Sequence, residues 1–141
     1  APWWQSNVKG AVFGLTFATT RAHFLRAALE SIAYQIKDLT DVMMANMETP
    51  LQEICADGGP TRNRFLMQLQ ADLLQTPIVC TEVEDASALG AAIMNGLARG
   101  LWQSFDEVAR LRKVTQVIAP QADSHADQYA GWRKAVDTLI K

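Results

Sequence analysis

The chain has 141 residues, of which 49% are hydrophobic, with 13 Lys and Arg against 15 Asp and Glu and a formal net charge of −2. This length and composition fit one folded domain and exclude a disordered chain. The charge gives no basic patch for nucleic acid. No apolar run approaches the roughly 20 residues that a membrane-spanning helix needs. Two cysteines are too few for a disulfide framework, which favours a reducing, cytoplasmic compartment.

The first residues, Ala1-Pro2-Trp3-Trp4, contain two adjacent tryptophans and no initiating methionine. Adjacent tryptophans on a small domain usually pack against another part of the structure. We therefore expect the chain to be a fragment of a longer protein, with an expression scar as the alternative.

A long helix is predicted from Thr19 to about Met47, with Thr19 or Thr20 as the N-cap. Its apolar residues recur at three- and four-residue steps, which predicts one continuous apolar stripe. The stripe consists of Leu25, Leu29, Ile32, Ile36, Leu39, Met43 and Met47. The methionines at the end of this helix favour filling gaps in a core over forming a groove for a partner.

A strand, a helix and a second strand follow within thirty residues. Thr49-Pro50 ends the long helix, because a residue before proline avoids the helical region. The strands are predicted over Leu51–Ala56 and Ile78–Cys80, and the helix over Asn63–Leu74, with Phe65 or Leu66, Leu69 and Leu73 facing inward. Such a unit predicts parallel strands with a right-handed crossover.

The remaining chain predicts three more helices and one extended segment. Helices are expected over Ala86–Ala98, from Ser104 to about Arg112 and over Ser124–Ile140, and Val114–Ile118 is extended. Ser104 and Glu107 have the spacing of a capping box.

Helix 86–98 carries an apolar stripe, and also a lane of small residues that permits close packing: Leu89, Ile93 and Leu97, then Ala88, Ala92, Gly96 and Gly100. The last helix places apolar residues on one face: Tyr129, Trp132, Val136 and Leu139. The whole predicts one helix-rich α/β unit. Two or three short strands do not make a stable sheet by themselves, so we expect its apolar faces to need neighbours from outside this chain.

The loop 57–63 has the greatest potential for binding a phosphate or a nucleotide. It leaves the carboxyl end of a predicted strand, where ligands of open α/β sheets gather. Gly58 and Gly59 allow a backbone to pass close to a ligand, and Pro60 suits a first helical turn. Asn63 offers both a donor and an acceptor. From these residues alone, a tight turn remains the competing interpretation.

Other polar residues are assigned structural roles. His23 and His125 lie far apart and without metal-ligand spacing, which favours helix-surface or first-turn positions. Cys55 and Cys80 are expected to be buried, inert thiols. Ser87 has no adjacent base, so it is not expected to act as a nucleophile. Glu84 and Asp85 suit a helix cap, and Arg62 and Arg64 suit a solvated helix surface.

Several ordered motifs resemble the C-terminal half of glycerol kinase and its relatives in the FGGY family of carbohydrate kinases. The resemblance begins with Ala1-Pro2-Trp3-Trp4 and continues through four further segments, 10–16, 19–23, 26–35 and 57–72. It also includes Ala88-Leu89-Gly90-Ala91-Ala92 and Gly100-Leu101-Trp102, so it covers residues 1 to about 102, and the 129–132 ending fits loosely.

The resemblance implies a ribonuclease H-like fold of the actin-like ATPase superfamily. The chain, 1–141, would then be the helix-rich distal part of the C-terminal, nucleotide-binding domain, without the N-terminal domain or the start of its own domain. The resemblance also implies binding of ATP or ADP by Gly58, Gly59, Pro60 and Asn63. Pro60, Thr61 and Arg62 depart from the family's usual residues, which affects side-chain contacts more than backbone contacts.

By the same resemblance, the parent enzyme would transfer the γ-phosphoryl group of Mg-ATP to a hydroxyl of glycerol, xylulose or another polyol. No catalytic residue and no Mg²⁺ ligand is expected within this chain, so we predict that it is inactive alone. The parent would bind a small sugar or polyol, would bind neither nucleic acid nor membrane, and would form a homo-oligomer. An actin- or chaperone-like ATPase segment and a pure interaction module are the alternatives.

Overall fold

A computed structural model describes residues 2–83 and 85–140. The elements follow in chain order: α1 Arg21–Met44, β1 Ile54–Ala56, α2 Arg64–Leu74, β2 Ile78–Thr81, α3 Ala86–Ala98, α4 Phe105–Ala109, β3 Val114–Ile118 and α5 Ala126–Leu139. Residues 2–20 form no regular helix or strand. No helix in this described part of the chain is long and apolar enough to span a membrane.

The three strands form one mixed sheet in the order β1-β2-β3. β1 and β2 are parallel, as predicted, with Ile54 opposite Ile78 and Ala56 opposite Cys80. β3 runs antiparallel to β2, and the pairing is irregular between Cys80 and Thr81. Because β1 and β2 are parallel, the loops that follow them leave the same edge of the sheet.

Helix α2 supplies most of the core. Seven of its eleven residues are buried, and they include the predicted Leu66, Leu69 and Leu73. They pack with Ala33 and Tyr34 of α1 and with Ile78, Cys80 and Ile118 of the sheet. The central position of α2 fixes the loop that precedes it, because that loop connects β1 to α2.

The apolar stripe of α1 is largely exposed in the described chain. Six of its seven members are exposed by 38% to 57%, Leu29 being the exception, and the expected core role of Met43 and Met47 fails with them. The buried face of α1 instead consists of Ala33, Tyr34 and Asp38. Apolar spacing identified the helix correctly but did not identify the face that meets α2 and α5.

Asp38 forms the polar junction between α1 and α5. Its side chain is fully buried and accepts hydrogen bonds from the Tyr129 hydroxyl at 2.6 Å, the Trp132 indole N–H at 2.6 Å and the Arg133 guanidinium at 3.0 Å. A buried carboxylate is tolerated only when donors surround it in this way. Of the four residues predicted to share one face of α5, Tyr129 and Trp132 pack against the core and Val136 is buried, whereas Leu139 is 37% exposed.

The predictions for α3 and α4 are largely confirmed. α3 has its predicted bounds, and Asp85 caps it by accepting from the Ala88 amide at 2.9 Å. Of the lane of small residues, only Gly96 is buried, and the Trp102 ring covers it. The Ser104 hydroxyl caps α4 as expected, since it accepts from the Glu107 amide. The second bond of a capping box is not formed, because the Glu107 carboxylate accepts from the Gln103 amide instead of from the Ser104 amide. Glu84 lies outside the described residues.

Candidate nucleotide-binding loop

The loop between β1 and α2 lies at the carboxyl edge of the two parallel strands. The loop contains a short 3₁₀ helix, Gly59–Arg62. The loop ends at Asn63, the residue before α2. The Gly58 amide donates to the Val83 carbonyl at 3.4 Å, which joins this loop to the one that follows β2. The two loops therefore form one continuous edge, in the place where open α/β sheets bind ligands.

Gly58 adopts a backbone conformation that only glycine tolerates. Its φ is +79° and its ψ is −179°, a region that a side chain would make strongly unfavourable. Its carbonyl accepts from the Thr61 amide at 3.2 Å and from the Thr61 hydroxyl at 2.7 Å. Gly58 therefore sets the turn that the sequence predicted, and the backbone holds that turn in place.

Gly59 and Pro60 form the exposed surface of the loop. A Cβ atom built on Gly59 meets no atom within 4 Å, and the φ of Gly59 lies outside the left-handed region. The fold therefore does not require glycine at this position. Pro60 stands in the first turn of the 3₁₀ helix, where its missing amide costs no hydrogen bond.

Asn63 caps α2 with its side-chain oxygen, which accepts from the Leu66 amide at 3.1 Å. The half-buried side chain therefore has a structural role that the sequence analysis did not assign to it. The cap uses the oxygen as an acceptor, and the two N–H bonds of the same amide are separate donors. Arg64 is exposed, in agreement with the predicted solvated helix surface.

The histidines have the structural roles that the sequence predicted. His23 lies in the first turn of α1, where its Nδ1 accepts from the Thr20 amide at 3.1 Å. His125 precedes α5 and lies 3.7 Å from Asp72 and 3.6 Å from Asp123. Neither histidine lies in the loop 57–63.

The prediction for the cysteines is correct for one and wrong for the other. Cys80 is buried, and burial raises the pKa of its thiol. Cys55 is exposed, because it lies on the edge strand β1 and faces away from the core. Its sulfur accepts a hydrogen bond from Arg112, which also pairs with Glu53 at 3.1 Å.

The described residues contain no group of three His, Cys, Asp or Glu side chains that is arranged to hold a metal ion. A groove of about 1020 Å³ lies between the N-terminal segment, α1 and α5, and residues 57–63 do not line it. Its walls are mainly aromatic and aliphatic, with Trp3, Trp4, Phe13, Phe24 and Trp132 among them.

The sequence analysis missed the junction at Asp38, where two tyrosines have raised pKa values. Burial and the hydrogen bond to Asp38 raise the pKa of Tyr129. Burial, and then the nearby charge of Glu30, raise the pKa of Tyr34 to about 12. A lone aspartate in a helix gives no sequence signal for such a site, since its three partners lie 91 to 95 residues further along the chain.

Comparison with known proteins places the chain in a family. Residues 1–99 match the FGGY family of carbohydrate kinases, C-terminal domain. The chain belongs to this family, and the expected ribonuclease H-like α/β fold is confirmed.

Its relatives are glycerol kinases. The chain is 46% identical over 138 residues to the glycerol kinase of Limosilactobacillus reuteri (strain DSM 20016), a match that covers 96% of this chain and 28% of that protein. The chain thus spans 28% of the length of these curated relatives.

Two solved structures have the same fold. The first is Plasmodium falciparum glycerol kinase with ADP, with a TM-score of 0.83 and 33% identity, covering 100% of this chain and 29% of that one. The second is gluconate kinase from Lactobacillus acidophilus, with a TM-score of 0.84 and 26% identity, covering 99% of this chain and 29% of that one.

Proposed function

We propose that this chain is the distal part of the nucleotide-binding domain of an ATP-dependent polyol kinase, and that the loop 57–63 binds the adenosine part of ATP or ADP. The observation that carries the proposal is the Gly58-Gly59 turn, with Gly59 exposed, at the carboxyl edge of the parallel strands. Membership of a kinase family, and likeness to a glycerol kinase that holds ADP, support it.

Each residue of the loop has a defined task in this proposal. Gly59 leaves room for the nucleotide to approach the backbone, because no described atom fills the space that a side chain would take. Pro60 keeps the turn rigid beside it. Asn63 uses its oxygen to cap α2 and directs its amide N–H groups to the adenosine.

The remaining tasks belong to the rest of the kinase. Phosphoryl transfer requires positioning of the phosphates and stabilisation of their charge, and the described residues hold no metal cluster for that purpose. We expect the catalytic base, the Mg²⁺ ligands and the acceptor site outside this chain. The 141 residues alone should therefore show no acceptor-dependent release of ADP.

Glycerol is the acceptor that we propose, because the curated relatives are glycerol kinases at 42% to 46% identity. Gluconate and xylulose are the competing acceptors, since kinases named for them share the fold at 26% and 27% identity. The relevant experiment measures ADP release by the complete kinase with Mg-ATP and glycerol, erythritol, xylulose, ribulose or gluconate. Turnover with glycerol alone is the expected result, and turnover with a different acceptor would replace glycerol in the proposal.

Two substitutions at Asn63 separate its role in folding from its role in binding. Asn63→Asp keeps the oxygen that caps α2 but removes the amide donors, so KM for ATP should rise about fivefold without loss of stability. Asn63→Ala removes both and should also cost about 1 kcal/mol of stability. An unchanged KM for ATP in both variants would contradict the proposed adenosine loop.

A non-kinase ATPase segment or an interaction module is the alternative function. The ATPase would bind ADP and release phosphate without any polyol, and the interaction module would show no thermal stabilisation by ADP. Either result with the complete protein would overturn the proposed kinase activity.

A further inference from the structure

The Thr61 side chain holds the peptide between Gly58 and Gly59. The Gly58 carbonyl accepts from the Thr61 hydroxyl at 2.7 Å, and from the Thr61 amide at a longer distance of 3.2 Å. Thr61 is half-buried, whereas Gly59 and Pro60 are exposed. The hydroxyl therefore bonds the carbonyl of this peptide, and the exposed Gly59 carries the amide of the same peptide.

The planar geometry of the peptide bond links the direction of the Gly58 carbonyl to that of the Gly59 N–H. A trans peptide is planar, and its C=O and N–H groups point in opposite directions. The carbonyl of Gly58 and the amide of Gly59 belong to the same peptide unit. Holding the carbonyl against Thr61 therefore turns the Gly59 N–H away from Thr61.

We propose that Thr61 is a positioning residue, whose hydroxyl orients the Gly59 amide toward the nucleotide. Glycine at both positions makes such a restraint necessary. Glycine loses more conformational freedom on ordering than any other residue, and Gly58 already stands at a φ of +79°. Without the hydroxyl, the single bond from the residue 61 amide holds the peptide, and the Gly59 N–H is less well ordered for binding.

This inference rests on the proposed nucleotide site, and Thr61→Val tests it in the complete kinase. Valine has nearly the shape of threonine but no hydroxyl, so one hydrogen bond is lost without a cavity. We expect Kd for ADP and KM for ATP to rise about threefold to tenfold, which is the usual effect of losing one such bond. kcat should change less than twofold, and Thr61→Ser should restore the affinity for ADP.

Two further variants make the outcomes distinct. Thr138→Val removes a similar bond, from a threonine hydroxyl to the Lys134 carbonyl at 2.9 Å on α5, and should leave Kd for ADP unchanged. Gly59→Ala should weaken ADP binding through its added methyl group. If Gly59→Ala has no effect on ADP binding, the proposed nucleotide site itself fails.

If Gly59→Ala weakens binding but Thr61→Val does not, the nucleotide site stands and the role of Thr61 is wrong. A fall in kcat and in melting temperature with no change in Kd for ADP would make Thr61 merely structural. Failure of Thr61→Ser to restore the affinity would equally overturn the positioning role.

Discussion

The junction at Asp38 and the loop 57–63 both depend on hydrogen bonds, but one is buried and the other is partly exposed. At the junction, three side chains from α5 surround a carboxylate whose side chain is fully buried. In the loop, hydrogen bonds hold the backbone in shape while Gly59 and Pro60 remain exposed. The polar groups of the junction bond one another and stabilise the fold. In the loop, the amide of Gly59 is the group that we propose for binding the nucleotide.

The comparison shows where a substitution should affect stability and where it should affect binding. Both carboxylate oxygens of Asp38 accept from donors on α5, so removing the carboxylate leaves those donors without it. A side chain added at Gly59 would meet no other atom, so a change there should act on the nucleotide instead. Three predictions can break or sharpen this distinction.

The largest expected effect is that of Asp38→Ala. It leaves the Tyr129 hydroxyl, the Trp132 indole and the Arg133 guanidinium without their shared acceptor. Removing one partner of a buried charged pair costs about 3 to 5 kcal/mol, and we expect a loss of about 3 kcal/mol because Arg133 is partly exposed. Urea denaturation of the purified protein measures this loss.

The control is Asp41→Ala, on the same helix. Asp41 is exposed, pairs with Lys37 at 2.8 Å and accepts a longer hydrogen bond of 3.3 Å from the Tyr129 hydroxyl, so its loss should cost about 1 kcal/mol or less. If the two variants were equally stable, Asp38 would not be the centre of the junction.

The second effect is a loss of stability at alkaline pH. The pKa of Tyr34 is raised to about 12 by its burial and by Glu30. Between pH 10 and 12 the unfolded chain loses this proton and the folded chain keeps it, so stability falls as the pH rises. The slope should approach about 1.4 kcal/mol per pH unit for this one group, and Tyr129, with its raised pKa, adds to it in the same direction.

Urea denaturation at pH 9 and pH 11 measures this slope, and Tyr34→Phe is the matched variant. It keeps the ring that packs 6.1 Å from Tyr129 and 5.7 Å from Trp132, but it has no proton to lose. An equally steep slope in Tyr34→Phe would place the alkaline sensitivity elsewhere.

The smallest effect comes from adding one methyl group at a packed or at an open glycine. Gly96→Ala on α3 would overlap the Trp102 ring. Overpacking costs about 1 to 3 kcal/mol, and the higher helix propensity of alanine returns about 1 kcal/mol. We therefore expect a net loss of about 1 kcal/mol in chemical denaturation.

Gly59→Ala is the corresponding change in the loop and should alter stability by less than about 0.5 kcal/mol, because its methyl group meets no other atom. Gly90→Ala, also on α3 and also in open space, should be neutral or stabilising. Equal losses for Gly59→Ala and Gly96→Ala would mean that the loop is packed as tightly as the α3 surface.

The sequence predicted the bounds of helices and strands better than it predicted which residues pack in the core. The bounds of α3 and β3 and the parallel pairing of β1 and β2 follow from local spacing and from the short strand-helix-strand connection. The outward direction of the α1 stripe did not follow, because periodicity identifies an apolar face without identifying its neighbour. Ala33 and Tyr34, not the leucines, contact α2 and α5.

The candidate loop was predictable as a turn, since Gly-Gly after a strand and Asn before a helix are local signals. The capping role of Asn63 depends on where α2 begins, one residue later than predicted. The cluster around Asp38 was not predictable in this way, because it joins residues that only the folded chain brings together.

The distance along the chain between Asp38 and its partners has a consequence for synthesis. Tyr129, Trp132 and Arg133 follow Asp38 by 91, 94 and 95 residues. At roughly 5 to 20 residues per second on the ribosome, the aspartate waits roughly 5 to 20 seconds before its donors are made. During that interval the Asp38 carboxylate of the nascent α1 has none of these three donors, and the contact between α1 and α5 forms only after α5 has been synthesised.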